Sequence, residues 1–151
     1  MFQDILFVCV GNICRSPMAE ALLKQHLASA HVHINSAGIA ALVGQAVYPE
    51  IQGIMDRDGI ATGQHQARQL TAQMVRQADL ILVMQSSQQS YIHNMESTAR
   101  GKVHLLGKWQ EIEIPDPYQK SEEYVEYVYK LINTSVKDWS SRLWLQEGKD
   151  K

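Results

Sequence analysis

Three residues near the start of the chain have types and spacing suited to chemistry: Cys9, Arg15 and Ser16, in Cys9-Val10-Gly11-Asn12-Ile13-Cys14-Arg15-Ser16. A fourth, Asp116, lies far along the chain between Pro115 and Pro117. Together they suit displacement at phosphorus. Arg15 carries a planar, permanently charged fork that can bind two phosphoryl oxygens. A cysteine in that positive field is favoured as thiolate. A thiolate can attack phosphorus and form a covalent phosphocysteine. The leaving oxygen then needs a proton, and Asp116 is the best candidate to supply it. The flanking prolines stiffen its loop and hold the carboxyl in place. Tyr118 is placed to pack against an aromatic substrate ring.

Plainer readings exist for each residue. A cysteine ending an apolar strand is usually a small buried hydrophobe. An aspartate between prolines is often only a turn residue. What favours chemistry is the combination of Cys9, the Arg15-Ser16 pair that follows, and a strand-to-helix setting. A nucleotide-binding P-loop does not fit, because Gly-x4-Gly-Lys-Ser/Thr is absent. A zinc site does not fit either, since Cys9 and Cys14 have no second ligand pair.

The elements that must position these groups follow from apolar patterning. The run from Ile5 to Val10 suits a strand buried on both faces of a parallel sheet. Ser16-Pro17 suits a helix start, Ser as cap and Pro at the first helical position. Met18, Ala21, Leu22 and Leu27 would form that helix's apolar face. The loop between strand and helix can turn its N–H groups inward as an anion nest. Gly11 and Asn12 are the types that best tolerate left-handed backbone there.

Val32 to Ser36 reads as a second strand and 37–45 as a loop. A helix follows Tyr48-Pro49 with Ile51, Ile54 and Met55, and 59–69 reads as irregular. Thr71 caps a short helix ending near Ala78. Leu80 to Met84 is a third strand, Ser86 or Ser87 opens another helix, and Lys102 to Leu106 is a fourth strand. A last helix starts near Ser121, with Glu122 and Glu123 at its positive end. Its apolar face runs through Val125, Val128, Ile132, Val136, Trp139 and Leu143. The expected architecture is a three-layer α/β/α domain on a central four-stranded parallel sheet, with the phosphate-binding loop after the first strand. Ligands of such sheets bind beyond the carboxyl ends of the strands, where Cys9 lies.

Composition narrows the function further. With 151 residues, 45% of them hydrophobic and 20% charged, the chain suits one globular domain spanning 1–151. A net charge of -2 with no basic run gives no footprint for nucleic acid. No apolar stretch approaches the roughly 20 residues needed to span a bilayer, so no stable membrane insertion is expected. The N-terminus lacks the pattern of a signal peptide. Two cysteines make no disulfide framework, which suits a reducing cytoplasm. No metal or cofactor is expected.

The sequence resembles the low-molecular-weight protein tyrosine phosphatases. The resemblance covers nearly the whole chain. It rests on the stretch from Val8 to Ala21, on Ser36-Ala37-Gly38, on His65 to Leu70, on Ala78 to Met84, and on Asp116-Pro117-Tyr118. Leu106-Gly107-Lys108-Trp109 ahead of Ile114-Pro115-Asp116-Pro117-Tyr118 resembles the bacterial branch. Members of that branch often act on tyrosine kinases controlling capsule or exopolysaccharide export. The resemblance therefore implies as partner a phosphotyrosine protein, an autophosphorylated bacterial tyrosine kinase.

It also implies roles. Cys9 would be the nucleophile, Arg15 the phosphate clamp, and Asp116 the acid that later activates water. Val10, Gly11, Asn12, Ile13, Cys14 and Ser16 would surround the phosphate. Ser16 would also donate to the Cys9 thiolate. Asn12 would hold the loop through a network reaching Ser36 and His65. Cys14 would be a redox partner, able to form a reversible disulfide with Cys9. Leu42 stands where the pocket wall is often aromatic, so an aliphatic contact with the substrate ring is expected beside Tyr118. Gln85 stands where many relatives carry Asp, and Gln119 where some carry a second Tyr. Tyr124, Tyr127 and Tyr129 read as packing or surface residues.

Three alternatives share parts of this pattern. An arsenate reductase of the same fold needs further cysteines to carry a disulfide away, and none follows Cys14. A cysteine phosphocarrier has no need of Asp116. A non-catalytic phosphotyrosine-binding module would not need Cys9, Arg15 and Asp116 together.

Overall fold

Asp4–Cys9 forms the first strand, β1, and five of its six residues are buried. It lies inside a four-stranded sheet of order β2-β1-β3-β4, where β2 is His33–Gly38, β3 Leu80–Val83 and β4 Val103–Leu105. All pairings are parallel, and the register sets Cys9 against Gly38 and Val8 against Val83. The computed structural model describes residues 2–27 and 31–145.

The chain leaves β1 for one neighbour and then crosses to the other. The carboxyl ends of β1 and β3 therefore bound the crevice at the topological switch, where ligands of open parallel sheets bind. Alternation along β1 divides the core. Ile5, Phe7 and Cys9 pack on one side with Met18, Leu22, Ile51, Val128 and Ile132. Leu6 and Val8 pack on the other with Val75, Ile81, Val83 and Ile92. The first layer is built by α1 (Arg15–His26), α2 (Pro49–Arg57) and α5 (Glu122–Ser140). The second is built by α3 (Ala72–Gln77) and α4 (Ser86–Met95). This is the expected α/β/α arrangement. No helix among the described residues is long and apolar enough to cross a membrane.

Helix starts follow local chemistry where a hydroxyl is free to cap. Thr71 Oγ1 accepts from the Met74 amide, and Ser121 Oγ from the Tyr124 amide. Pro49 opens α2, where its missing N–H has no intrahelical duty. The start of α1 differs from the sequence reading. The helix begins at Arg15, so Ser16 caps nothing and Pro17 is its third residue. The Ser16 hydroxyl is engaged elsewhere, as described below. The strands shift slightly: β1 stops at Cys9, one residue short of Val10, and β2 runs on to Gly38. Helix α5 ends at Ser140, so Leu143 lies in a wider π turn, Ser141–Leu145. Leu143 still packs against the same core.

Candidate active site

The loop from Cys9 to α1 is held by its carbonyls. Those of Cys9, Val10 and Gly11 accept from the amides of Ile39, Ala40 and Leu42, and that of Ile13 from Tyr48. The Asn12 carbonyl accepts from His65 Nε2 at 2.7 Å, which fixes that nitrogen as the protonated one. Cys14 O accepts from Met18 within α1. With these oxygens tied outward, the amide side of the loop is left to the cleft, next to the positive end of α1.

Asn12 lies at the centre of this construction, fully buried and with φ 58°. Its Nδ2 donates to Ser16 Oγ at 2.8 Å and to Ser36 Oγ at 2.9 Å. Its Oδ1 accepts from the Arg68 amide at 2.9 Å. The left-handed residue of the loop is thus Asn12 alone. Gly11, expected to share that conformation, has no positive φ. A Cβ at Gly11 would only meet Ile13 and Leu42 at ordinary contact distance. Gly38 is the glycine that geometry demands, because a Cβ there would press into the Val10 carbonyl and against Asn12.

Cys9, Arg15 and Asp116 converge on one cleft of about 170 Å³ at the end of β1. Cys9, Val10, Gly11, Ile13, Cys14, Arg15, Leu42, Asp116 and Tyr118 all line it. Cys9 Sγ lies 2.8 Å from Ser16 Oγ. Arg15 is 2% exposed, and its Nη1 donates to Ile114 O at 2.9 Å and Gln85 Oε1 at 3.1 Å. Ile114 in turn donates its amide to Met84 O at the end of β3. That bond anchors the loop carrying Asp116. Asp116 Oδ1 accepts from the Tyr118 amide at 3.0 Å, which leaves the other oxygen for the cleft. Tyr118 leans on Tyr48, with ring centroids 5.0 Å apart.

The two cysteines are both free thiols. Burial pushes the Cys14 thiol well above its ordinary range, and negative charge on Cys9 or Asp116 pushes it further. Arg15 opposes this only in part.

Asn12, Ser36, His65, Ser16 and Cys9 therefore lie in one hydrogen-bonded set. Two members went unnoticed. Glu20 Oε1 accepts from Ser36 Oγ at 2.6 Å, and Arg68 Nε donates to Ser36 O at 2.9 Å. Glu20 carried a legible signal: it lies four residues after Ser16 and so falls on the same side of α1. Arg68 carried none, since its amide and its Nε meet Asn12 and Ser36 only through the fold. Gln85, noted only as a departure, touches Arg15 directly.

Residues 4–149 match the model of the family described as low molecular weight phosphotyrosine protein phosphatase. The chain belongs to this family. It is a protein-tyrosine-phosphatase, a phosphoric monoester hydrolase. It is 45% identical to the low molecular weight protein-tyrosine-phosphatase Ptp of Acinetobacter johnsonii, over 94% of this chain and 99% of that one. It is 42% identical to the phosphatase Wzb of Salmonella typhimurium, over 99% of both chains. Among solved structures, the tyrosine phosphatase Wzb from Escherichia coli K30 in complex with sulphate superposes with a TM-score of 0.89. Its identity is 40%, covering 95% of this chain and 99% of that one. The YwlE arginine phosphatase from Geobacillus stearothermophilus shares the fold at TM-score 0.90 and 27% identity, covering 99% and 97%.

Proposed function

We propose that this phosphatase works through a phosphocysteine formed on Cys9. The observation that carries the reading is one cleft holding Cys9 Sγ, the buried Arg15 and Asp116 together. Arg15 and the loop amides hold the phosphoryl oxygens. The Cys9 thiolate attacks phosphorus, and the bond from phosphorus to the tyrosyl oxygen breaks. Asp116 gives its proton to that oxygen. The resulting Asp116 carboxylate then takes a proton from water, which attacks phosphorus, and the P–S bond breaks to release phosphate and the Cys9 thiolate. Leu42 and Tyr118 flank the ring of the substrate. No metal takes part, so a chelator should leave turnover unchanged.

The test compares wild type, Cys9→Ser and Asp116→Ala on an aryl phosphate with a poor leaving group. Cys9→Ser should be inactive, and full activity there would sink the mechanism. Asp116→Ala should be slow, and no loss would remove only the acid assignment. A good leaving group hardly needs the proton and should hide the Asp116 defect. Phosphotyrosine and phosphoarginine peptides offered side by side decide between the chemistries of the two structural relatives; we expect phosphotyrosine to be preferred.

The physiological partner we infer is an autophosphorylated bacterial tyrosine kinase of capsule or exopolysaccharide export, met in the cytoplasm. Likeness to the bacterial branch supports this, as does a sequence whose two cysteines make no disulfide framework. Trapping partners from extract with Cys9→Ser protein tests it, and a trapped set lacking tyrosine kinases would count against it.

A further inference from the structure

Arg15 is a buried cation whose two protein acceptors are both neutral, an amide oxygen and a backbone carbonyl. Among the described residues it is in no ion pair. Buried charges are usually paired. Here a second amide enforces the exception. Gln88 is 1% exposed, and its Oε1 accepts from the amides of Met84 at 2.8 Å and Gln85 at 3.1 Å. With its oxygen so occupied, Gln88 turns its Nε2 toward Gln85 Oε1, 3.4 Å away. The oxygen of Gln85 therefore faces both Gln88 and Arg15. Arg15 is held in place without being neutralised.

Resting on the assignment of Arg15 as the phosphate clamp, we propose that Gln85 is a positioning residue that keeps the charge of Arg15 undischarged and thereby sets the affinity of the site for dianionic phosphoryl groups. A carboxylate in its place would hold the same geometry and would also neutralise the guanidinium, so each arriving dianion would have to compete with it. An acceptor-free side chain would loosen Arg15 slightly, since Ile114 O remains, and would leave its charge intact.

The experiment titrates inorganic phosphate into folded wild type, Gln85→Glu and Gln85→Met by calorimetry, and measures KM and kcat on an aryl phosphate. Gln85→Glu is isosteric at a half-buried position, and Gln85→Asp replaces it if thermal melting shows it unfolded. We expect Gln85→Glu to weaken phosphate binding by about tenfold or more. Gln85→Met should stay within about threefold, because Ile114 O still holds Arg15 and the charge of the guanidinium is untouched. KM should rise in Gln85→Glu by more than kcat falls. Phosphate binding to Gln85→Glu as tight as to wild type would overturn the proposal. Equal weakening in Gln85→Glu and Gln85→Met would overturn it too, because Gln85 would then act by placement alone. A wild type that binds no phosphate would instead overturn the role of Arg15 itself.

Discussion

Ser16 Oγ lies 2.8 Å from Cys9 Sγ while accepting a hydrogen bond from Asn12 Nδ2. A hydroxyl has one hydrogen, and the Asn12 amide has already filled an acceptor site on that oxygen. The hydrogen of Ser16 is free for sulfur, and the Cys9 thiolate of the proposed mechanism can only accept it. The same logic orients Ser36, which accepts from Asn12 and donates to Glu20. The chain of donors runs outward from Asn12 in both directions, and one end is Cys9.

Removing the last link should slow the chemistry and spare the fold. Ser16→Ala deletes one hydrogen bond to the thiolate that the proposed mechanism requires, worth about 1.5–3 kcal/mol. We expect kcat to fall by about tenfold to a hundredfold, with KM little changed, since Ser16 holds sulfur and leaves the phosphoryl oxygens to others. Steady-state kinetics on an aryl phosphate checks this. An unchanged kcat would mean that the contact does not act on the thiolate.

Gly38 should prove as sensitive as a residue that touches substrate. It stands opposite Cys9 in the sheet, and a Cβ there would collide with the Val10 carbonyl. Backbone on both sides of the contact can yield only by moving the phosphate loop. Gly38→Ala should cost roughly 1–3 kcal/mol of stability, as overpacking does. Its loss in kcat/KM should exceed a hundredfold, on the order of what a 1 Å misplacement costs. Urea denaturation and kinetics on the same protein separate the two effects.

Much of this was legible in the chain. Apolar runs gave away β1 and β3 because strands buried on both faces need continuous hydrophobicity. Cys9, Arg15 and Asp116 stood out because their chemistry is unusual in their settings. What stayed hidden depends on tertiary approach. Gly38 reads like any glycine after a strand, and only the proximity of Val10 explains it. Ser16 looked like a helix cap because capping is the common use of a serine before proline. The proximity of Cys9 and Asn12 recruits its hydroxyl instead. Arg68 reaches Asn12 through its backbone amide and Ser36 through its Nε, and only the fold brings those partners near it.

The junction of α2 with α5 should make stability depend on pH at both extremes. Tyr129 OH donates to Asp58 Oδ2 at 2.7 Å, and Arg57 bonds the same carboxylate and Glu126. Arg57 first and Tyr129 second lower Asp58 from its ordinary 3.8 to about 2. A lowered carboxyl stabilises the fold above its ordinary value and loses that contribution as pH falls through its folded one. Burial and the Asp58 carboxylate push Tyr129 from 10.0 up to about 12. A raised phenol contributes below its ordinary value and loses that contribution as pH rises through its folded one. Asp58→Asn should flatten the fall in Tm between pH 4 and 2, values that bracket the shift of Asp58. Tyr129→Phe should flatten the alkaline fall between pH 10 and 12, the window of the Tyr129 shift. Melting curves across those windows check both. Parallel acid limbs in wild type and Asp58→Asn would show that the bond carries no linkage.

Cys14 should set the speed at which oxidation of Cys9 can be reversed. A cysteine oxidised at Cys9 is rescued when a neighbouring thiol attacks it and closes a disulfide. The attacker must be a thiolate, and burial above all holds Cys14 as thiol. Closure should therefore be slow at neutral pH and accelerate as pH rises, because the thiolate fraction of Cys14 grows with pH throughout that range. After a fixed peroxide exposure, the activity regained on adding a reducing thiol should climb with the pH of the exposure. Each protein is scored against its own starting rate. In Cys14→Ala the regained fraction should be low at every pH, since Cys9 then continues to irreversible oxidation states. Equal recovery with and without Cys14 would remove its redox role and leave it as a packed thiol beside the nucleophile.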